Sequence, residues 1–360
     1  MHHKKTLVNF FNKYEYFLIS VAYPIVWLVL KKLFQIGYKR RKLITPVKDN
    51  FSSALILTDC QGPRYGPKRC MYFPDSIEGW LESKLGIKNI NLSGTISDSD
   101  WDLIVISPEW IKERSFHLKF FFPTFNLARK LRKSKTPVWV MIGDIYKIEY
   151  LIVASIIVYF CGGSIPLMSI TVSEAKKFGI PLASGPHMIL LNPNTENLFL
   201  SHIVWEKRDR RIIFGGGSER REGIYAEFHS NLEKIGWEAI IARRQYDWDE
   251  YRELIKNSQI LICSSTLVES AAIRLRFKFL QKNLAKYAIT HRIWEGFCAG
   301  LLVITDATPV LTELGFMEDI HFINIQKFID MKGTLPPSPE MSKIASTGRT
   351  LFEKLVHNII

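Results

Sequence analysis

Tyr287–Pro309, YAITHRIWEGFCAGLLVITDATP, sets a polar cluster, a glycine and an apolar run in that order. Thr290, His291, Arg292 and Glu295 open a short segment that predicts a helix over 290–299. Gly300 stops it, and Leu301–Thr305 is a short apolar run that reads as a buried strand. Polar and cationic side chains at a helix N-terminus, then a glycine and a strand, are how an α/β fold presents a phosphate-binding edge.

The same alternation extends outward on both sides. Toward the N-terminus stand the strands Arg211–Phe214, Glu238–Ala242 and Gln259–Cys263, with helices at about Tyr225–Lys234 and Tyr251–Lys256. Toward the C-terminus, His321–Ile325 reads as a last strand. Met341–Val356 reads as a terminal helix able to pack back across a domain boundary. Further upstream, Ser53–Thr58, Asp102–Ser107 and Pro137–Ile142 read as strands, and Leu118–Arg132 as a helix. Ile152–Tyr159 fits a buried strand or a helix equally well. Between the two series, Gly179–Asn197 is rich in Pro, Gly and Asn and reads as a crossover.

A chain of 360 residues is comfortable for two such domains, and 47% apolar residues can fill two cores. The expected architecture is α/β, with two doubly wound Rossmann-like domains facing a central cleft. Residues 49–190 form the first, 191–340 the second, and 341–360 a C-terminal helix. A ligand would sit at the carboxyl ends of the strands.

The charge of +13 is uneven, because residues 1–50 alone contribute +8. In that tail Tyr16–Leu30 is uncharged, then come Lys31, Lys32 and the basic run Lys39–Lys42. Fifteen residues of helix rise about 22 Å, short of a bilayer core of roughly 30 Å. Residues 1–48 are therefore expected to form a membrane-associating helix, embedded or interfacial, whose basic end meets anionic lipid. An ordinary buried helix with a solvated basic end is the other reading. The basic cluster has no accompanying nucleic-acid motif, so no nucleic-acid partner is expected. Five cysteines without CxxC or Cys/His spacing argue against structural zinc and a disulfide framework, and suit a reducing, cytoplasmic compartment.

Two clusters carry candidate chemistry. Gly215, Gly216 and Gly217 directly follow a strand, where glycine lets the backbone approach an anion. Arg220 and Arg221 lie just beyond and can fork onto phosphate oxygens. A tight turn with solvated arginines fits the same residues. The turn is neither a dinucleotide fingerprint, which needs Gly where Arg220 stands, nor a P-loop. In the second cluster His291, Arg292 and Glu295 can share one helix face. Arg292 would add charge to an anion site, and Glu295 could accept from two ribose hydroxyls. A plain Arg–Glu pair within the helix accounts for the same spacing. Two basic sites on strand ends of one domain suit a diphosphate with a sugar on each side.

Residues 211–325 resemble the donor-binding domain of GT-B glycosyltransferases, most nearly the CgeB-like branch of the group 1 enzymes. The resemblance rests on FGGGSERR, on YRELIKNSQILIC at 251–263, and on the R-x-x-E-x-x-x-x-G pattern matched by Arg292, Glu295 and Gly300. LTELGF at 311–316 adds to it. It implies a nucleoside-diphosphate-sugar donor, with Glu295 against the donor ribose and Arg220 or Arg221 at the diphosphate. It implies hexosyl transfer to a glycan, lipid-linked or cell-envelope acceptor in polysaccharide biosynthesis, with no cofactor. The E-x7-E motif of the related family 4 enzymes would place Glu at 287, where this chain has Tyr287. A nucleotide-sugar epimerase of similar fold, or a non-catalytic nucleotide-sugar-binding protein, shares these features.

Asp59 and Asp144 follow strands of the first domain, so either could act as base or orient an acceptor hydroxyl; turn capping is the plainer role. His187 lies in the crossover and could reach the cleft or stay at the surface. Asp98-Ser99-Asp100 and Asp247-Trp248-Asp249 match a metal-binding DxD on paper, but neither follows a convincing strand end, and no metal is expected. Cys263 and Cys298 read as core residues.

Overall fold

The structure is a computed structural model. It describes residues 29, 32, 51–58, 77–79, 81–82, 85–96, 100–108, 110–111, 121–134, 136–141, 153–154, 156–157, 203–215, 231–242, 248–263, 291–306, 308–331 and 334–358. These form a mixed α/β fold with two parallel sheets.

The first sheet contains β1 (Ser53–Leu57), β2 (Asn89–Ser93), β3 (Leu103–Ile106) and β4 (Val138–Val140), in the order β2-β1-β3-β4. Ala54 pairs in register with Ile90 on one side and Leu103 on the other. The central strands β1 and β3 are apolar and almost wholly buried, as expected of parallel strands covered on both faces. Helix α1 (Phe121–Ser134) runs between β3 and β4 and ends on Arg132 and Lys133, where cations favour the helix dipole. Ala54, Ile56, Leu103 and Val105 pack with Ile77, Leu81, Ile87 and Met141 in this sheet's core.

The second sheet holds β5 (Asp209–Gly215), β6 (Glu238–Ala242), β7 (Ser258–Cys263), β8 (Leu302–Thr305) and β9 (Ile323–Asn324), in the order β6-β5-β7-β8-β9. Among the described residues it is accompanied by α2 (Trp248–Asn257), α3 (His291–Ala299), α4 (Thr308–Glu313), α5 (Ile325–Asp330) and α6 (Ser338–Asn358), and residues 231–234, within the expected Tyr225–Lys234 helix, are helical. The pleat sends alternate residues of β7 to opposite faces. Leu261 and Cys263 join Ile293, Trp294, Phe297 and Phe352 on one face. Ile260 and Ile262 join Trp205, Leu232, Trp237 and Phe328 on the other. The aromatic rings of α3 and α6 lock together, with Trp294 stacked on Phe352 at 5.0 Å between centroids.

Several elements differ from the expectation. Within the ambiguous Ile152–Tyr159 run, residues 153, 154, 156 and 157 are helical and buried. The expected strand His321–Ile325 narrows to β9, because the Asn324 side chain accepts from the Gln326 amide at 2.8 Å and starts α5 at Ile325. β2, the helical residues 77–79, 81–82 and 85, and α4 are not among the expected elements. The terminal helix α6 packs on α3 and β8 through Phe352, Met341 and Ile344, within the second sheet's own cores.

Val29 and Lys32 are helical and exposed; the rest of the expected membrane-associating segment lies outside the described residues. Among the described residues no helix is long and apolar enough to cross a membrane. The crossover Gly179–Asn197 and His187 also lie outside them.

Candidate functional site

β5 lies between β6 and β7, so the chain moves to one side of β5 and then to the other. Such a reversal opens a crevice at the carboxyl ends of the two strands, where α/β folds take their ligands. Here those ends are Gly215 on β5 and Cys263 on β7, paired in register. The N-terminal turn of α3 reaches the same edge. A Cβ placed on Gly215 would sit 3.2 Å from Leu261 Cδ1 and 3.8 Å from the Cβ of Arg292. The glycine therefore keeps the end of β5 open directly beside Arg292.

Three side chains from two helices meet there. Arg292 Nη1 donates to Glu295 Oε2 at 3.0 Å, one turn along α3. The Tyr251 hydroxyl, on α2, donates to the same Oε2 at 3.1 Å. The Arg292 guanidinium lies over the Tyr251 ring, its Cζ 4.0 Å from the centroid, a close cation–π contact. The burial is graded. Tyr251 is 1% exposed and the Glu295 side chain 6%, whereas the Arg292 side chain is 27% exposed. A carboxylate and a phenol thus form the floor, and a cation stands on it in reach of solvent. Burial pushes the Tyr251 phenol well above its ordinary value; the nearby carboxylate pushes the same way, and the Arg292 charge opposes both. The phenol is a hydrogen-bond donor at any physiological pH.

α3 is held at its other end as well. Gly300 adopts φ +70° and its amide donates to Phe297 O at 3.0 Å, while Leu301 donates to Gly296 O at 2.9 Å. This is a Schellman ending, which the left-handed glycine permits. The Arg208 guanidinium, 5% exposed, donates from Nη2 to Ala299 O, from Nη1 to Ser258 O at 3.1 Å and from Nε to Ile203 O at 2.9 Å. Burial and the like charge of Arg349 push Arg208 down to about 10, so it remains a cation at neutral pH. A positive charge at a helix C-terminus is favourable.

A hollow of about 860 Å³ opens at the opposite, amino edge of the second sheet, between Trp205, Arg210, Trp237 and Pro336. Its buried polar groups serve the backbone: Arg208 holds the carbonyls above, and Gln259 Nε2 donates to Trp205 O at 3.2 Å. The carboxyl edge, with a partly exposed cation over a buried carboxylate, is the better candidate.

Of the expected site residues, the structure brings together Gly215, Arg292 and Glu295. His291 begins α3, with its backbone at the same edge. Gly216, Gly217, Arg220, Arg221, Thr290, Asp59 and Asp144 lie outside the described residues, as does Tyr287. Glu295 Oε2 receives Tyr251 and Arg292, which matches the Arg–Glu pair expected from the spacing; the expected ribose contact is a separate matter of the ligand. Cys263 and Cys298 are buried thiols in the core. Among the described residues no group of three or more His, Cys, Asp or Glu stands close enough to hold a metal ion. Tyr251 was missed. Its signal is the helical spacing with Leu254 and Ile255, which puts a phenol on the buried face, where the hydroxyl needs an acceptor.

No protein-family model matches this chain, and no curated protein matches it.

Proposed function

We propose that the protein is a membrane-associated glycosyltransferase of the GT-B type that uses a nucleoside-diphosphate sugar. In this reading the two parallel sheets are the cores of two Rossmann-like domains, residues 49–190 and 191–340, with the donor on the second. The observation that carries it is Arg292, seated on Glu295 and Tyr251 beside Gly215 at the reversal point of the strand order. A guanidinium there, beside a helix N-terminus, suits a diphosphate.

The acceptor, a glycan or lipid-linked or cell-envelope saccharide, would come from the first domain. Its hydroxyl oxygen bonds to the anomeric carbon while the bond from that carbon to the diphosphate oxygen breaks. The hydroxyl proton passes to a base, for which Asp144 and Asp59 are the candidates, and the diphosphate leaves with both electrons of the broken bond. Arg292, with Arg220 or Arg221, would stabilise the charge that develops on the leaving group. Metal is not required in this scheme, since cationic side chains take that role. Residues 1–48 would hold the enzyme at the cytoplasmic membrane surface, near a lipid-linked acceptor.

The test is a titration of the full chain against UDP-, GDP- and ADP-sugars, followed by a screen for slow donor hydrolysis. One donor class should bind. Arg292→Ala should weaken that binding about tenfold to a hundredfold, the range of a charge-assisted contact to phosphate, and Asp144→Ala far less. Absence of binding at millimolar concentration for all three classes would sink the proposal.

A further inference from the structure

We propose that Tyr251 is a positioning residue, holding the Arg292 guanidinium at the end of β5 through Glu295 so that it meets a nucleoside diphosphate already oriented. The inference rests on the nucleotide-sugar reading above and adds a residue from a different helix to that site.

An arginine side chain has many rotamers, and ordering it on binding costs affinity. Arg292 has protein partners on two sides that restrict those rotamers. Glu295 Oε2 takes its Nη1 at 3.0 Å, and the Tyr251 ring lies 4.0 Å beneath its Cζ. Tyr251 contributes twice, because its hydroxyl also donates to that same Oε2 at 3.1 Å and keeps the carboxylate turned toward the arginine. A phenylalanine would fill the core equally well and hold the cation by its ring alone. The hydroxyl ties α2 to the carboxylate, and it is the part of the side chain that packing alone does not demand. The raised phenol value keeps that proton in place across the range in which an enzyme works.

The test uses the full chain with ¹⁵N-labelled arginine, and UDP, GDP and ADP as probes. The Arg292 Nε–H signal is assigned by its loss in Arg292→Lys. Tyr251→Phe should shift or broaden that signal and raise the Kd of the preferred nucleoside diphosphate about threefold to tenfold. Adding Tyr251→Phe to Glu295→Gln should weaken binding no further than Glu295→Gln alone, since the tyrosine acts through the carboxylate. If Tyr251→Phe lowers the unfolding midpoint yet leaves both the Arg292 signal and the Kd unchanged, Tyr251 is an ordinary core residue and the proposal is overturned. If the wild-type chain binds none of the three probes, the nucleotide reading fails separately. The positioning claim is then decided by the Arg292 signal and by a stability cycle between Tyr251→Phe and Arg292→Lys, where zero coupling overturns it.

Discussion

Glu295 is a buried carboxylate whose Oε2 accepts from two donors on different helices, Tyr251 and Arg292. Removing either donor leaves the carboxylate poorly satisfied, a cost of about 1–3 kcal/mol for a buried polar group. The same cluster fixes an alkaline limit. Because the folded-state phenol of Tyr251 is raised above the unfolded value near 10, the folded chain binds its proton more tightly. That contribution is complete below pH 10 and is lost as pH rises toward the folded value. Thermal unfolding followed upward from about pH 8 should therefore show a steeper alkaline loss in the wild type than in Tyr251→Phe; equal slopes would contradict it. His321 behaves in the opposite sense. Burial pushes its imidazole below the ordinary value, and a hydrogen bond with the Met317 backbone partly offsets this. Its contribution is present above the unfolded value of about 6.5 and fades as pH falls through the lower folded value.

At the scale of the element, α3 delivers the site, and it is gripped along its length. Gly296 faces β7 and β8 so closely that a Cβ there would lie 2.7 Å from Leu261 Cδ2 and 2.9 Å from Val303 Cγ2. Gly296→Ala should destabilise the fold by about 1–3 kcal/mol through overpacking, despite the better helix propensity of alanine. At the C-terminal end, Arg208→Leu would leave the carbonyls of Ile203, Ser258 and Ala299 without that donor. A loss of about 1–3 kcal/mol for each carbonyl left unsatisfied is expected in denaturant unfolding; a total change below about 1 kcal/mol would show that water replaces the guanidinium. The strands β1, β3, β5, β7 and β8 were legible because buried parallel strands are short continuous apolar runs. β2 was not, since NINLS lies partly exposed and its asparagines resemble a loop. α5 was hidden by its cap: Asn324 both ends β9 and starts the helix, so HFINI looked like one strand.

For the whole molecule, basic charge is concentrated toward one end of the chain. The basic excess sits in residues 1–50, and the two parallel sheets come after it. If residues 1–48 hold the protein to anionic lipid, the full chain should sediment with vesicles containing phosphatidylserine and be released by high salt, which screens the contact. Deleting 1–48 should abolish that binding and leave nucleoside diphosphate affinity unchanged. Retained vesicle binding in the shortened chain would place the membrane contact elsewhere.

Local chemistry alone determined the parallel α/β class, most of the strands, a helix ending at Ala299 and the Arg292–Glu295 spacing. Each depends on residues only a few positions apart, whose periodicity, glycine stops and i,i+3 geometry act within one element. The tertiary structure decided the strand order β6-β5-β7-β8-β9, and with it that Gly215 and Arg292 share an edge. It alone brought Tyr251, forty-four positions before Glu295, beneath the arginine. That contact exists because α2 and α3 pack side by side on one face of the second sheet. The packing is settled by the burial of many side chains together, which no short stretch of sequence records.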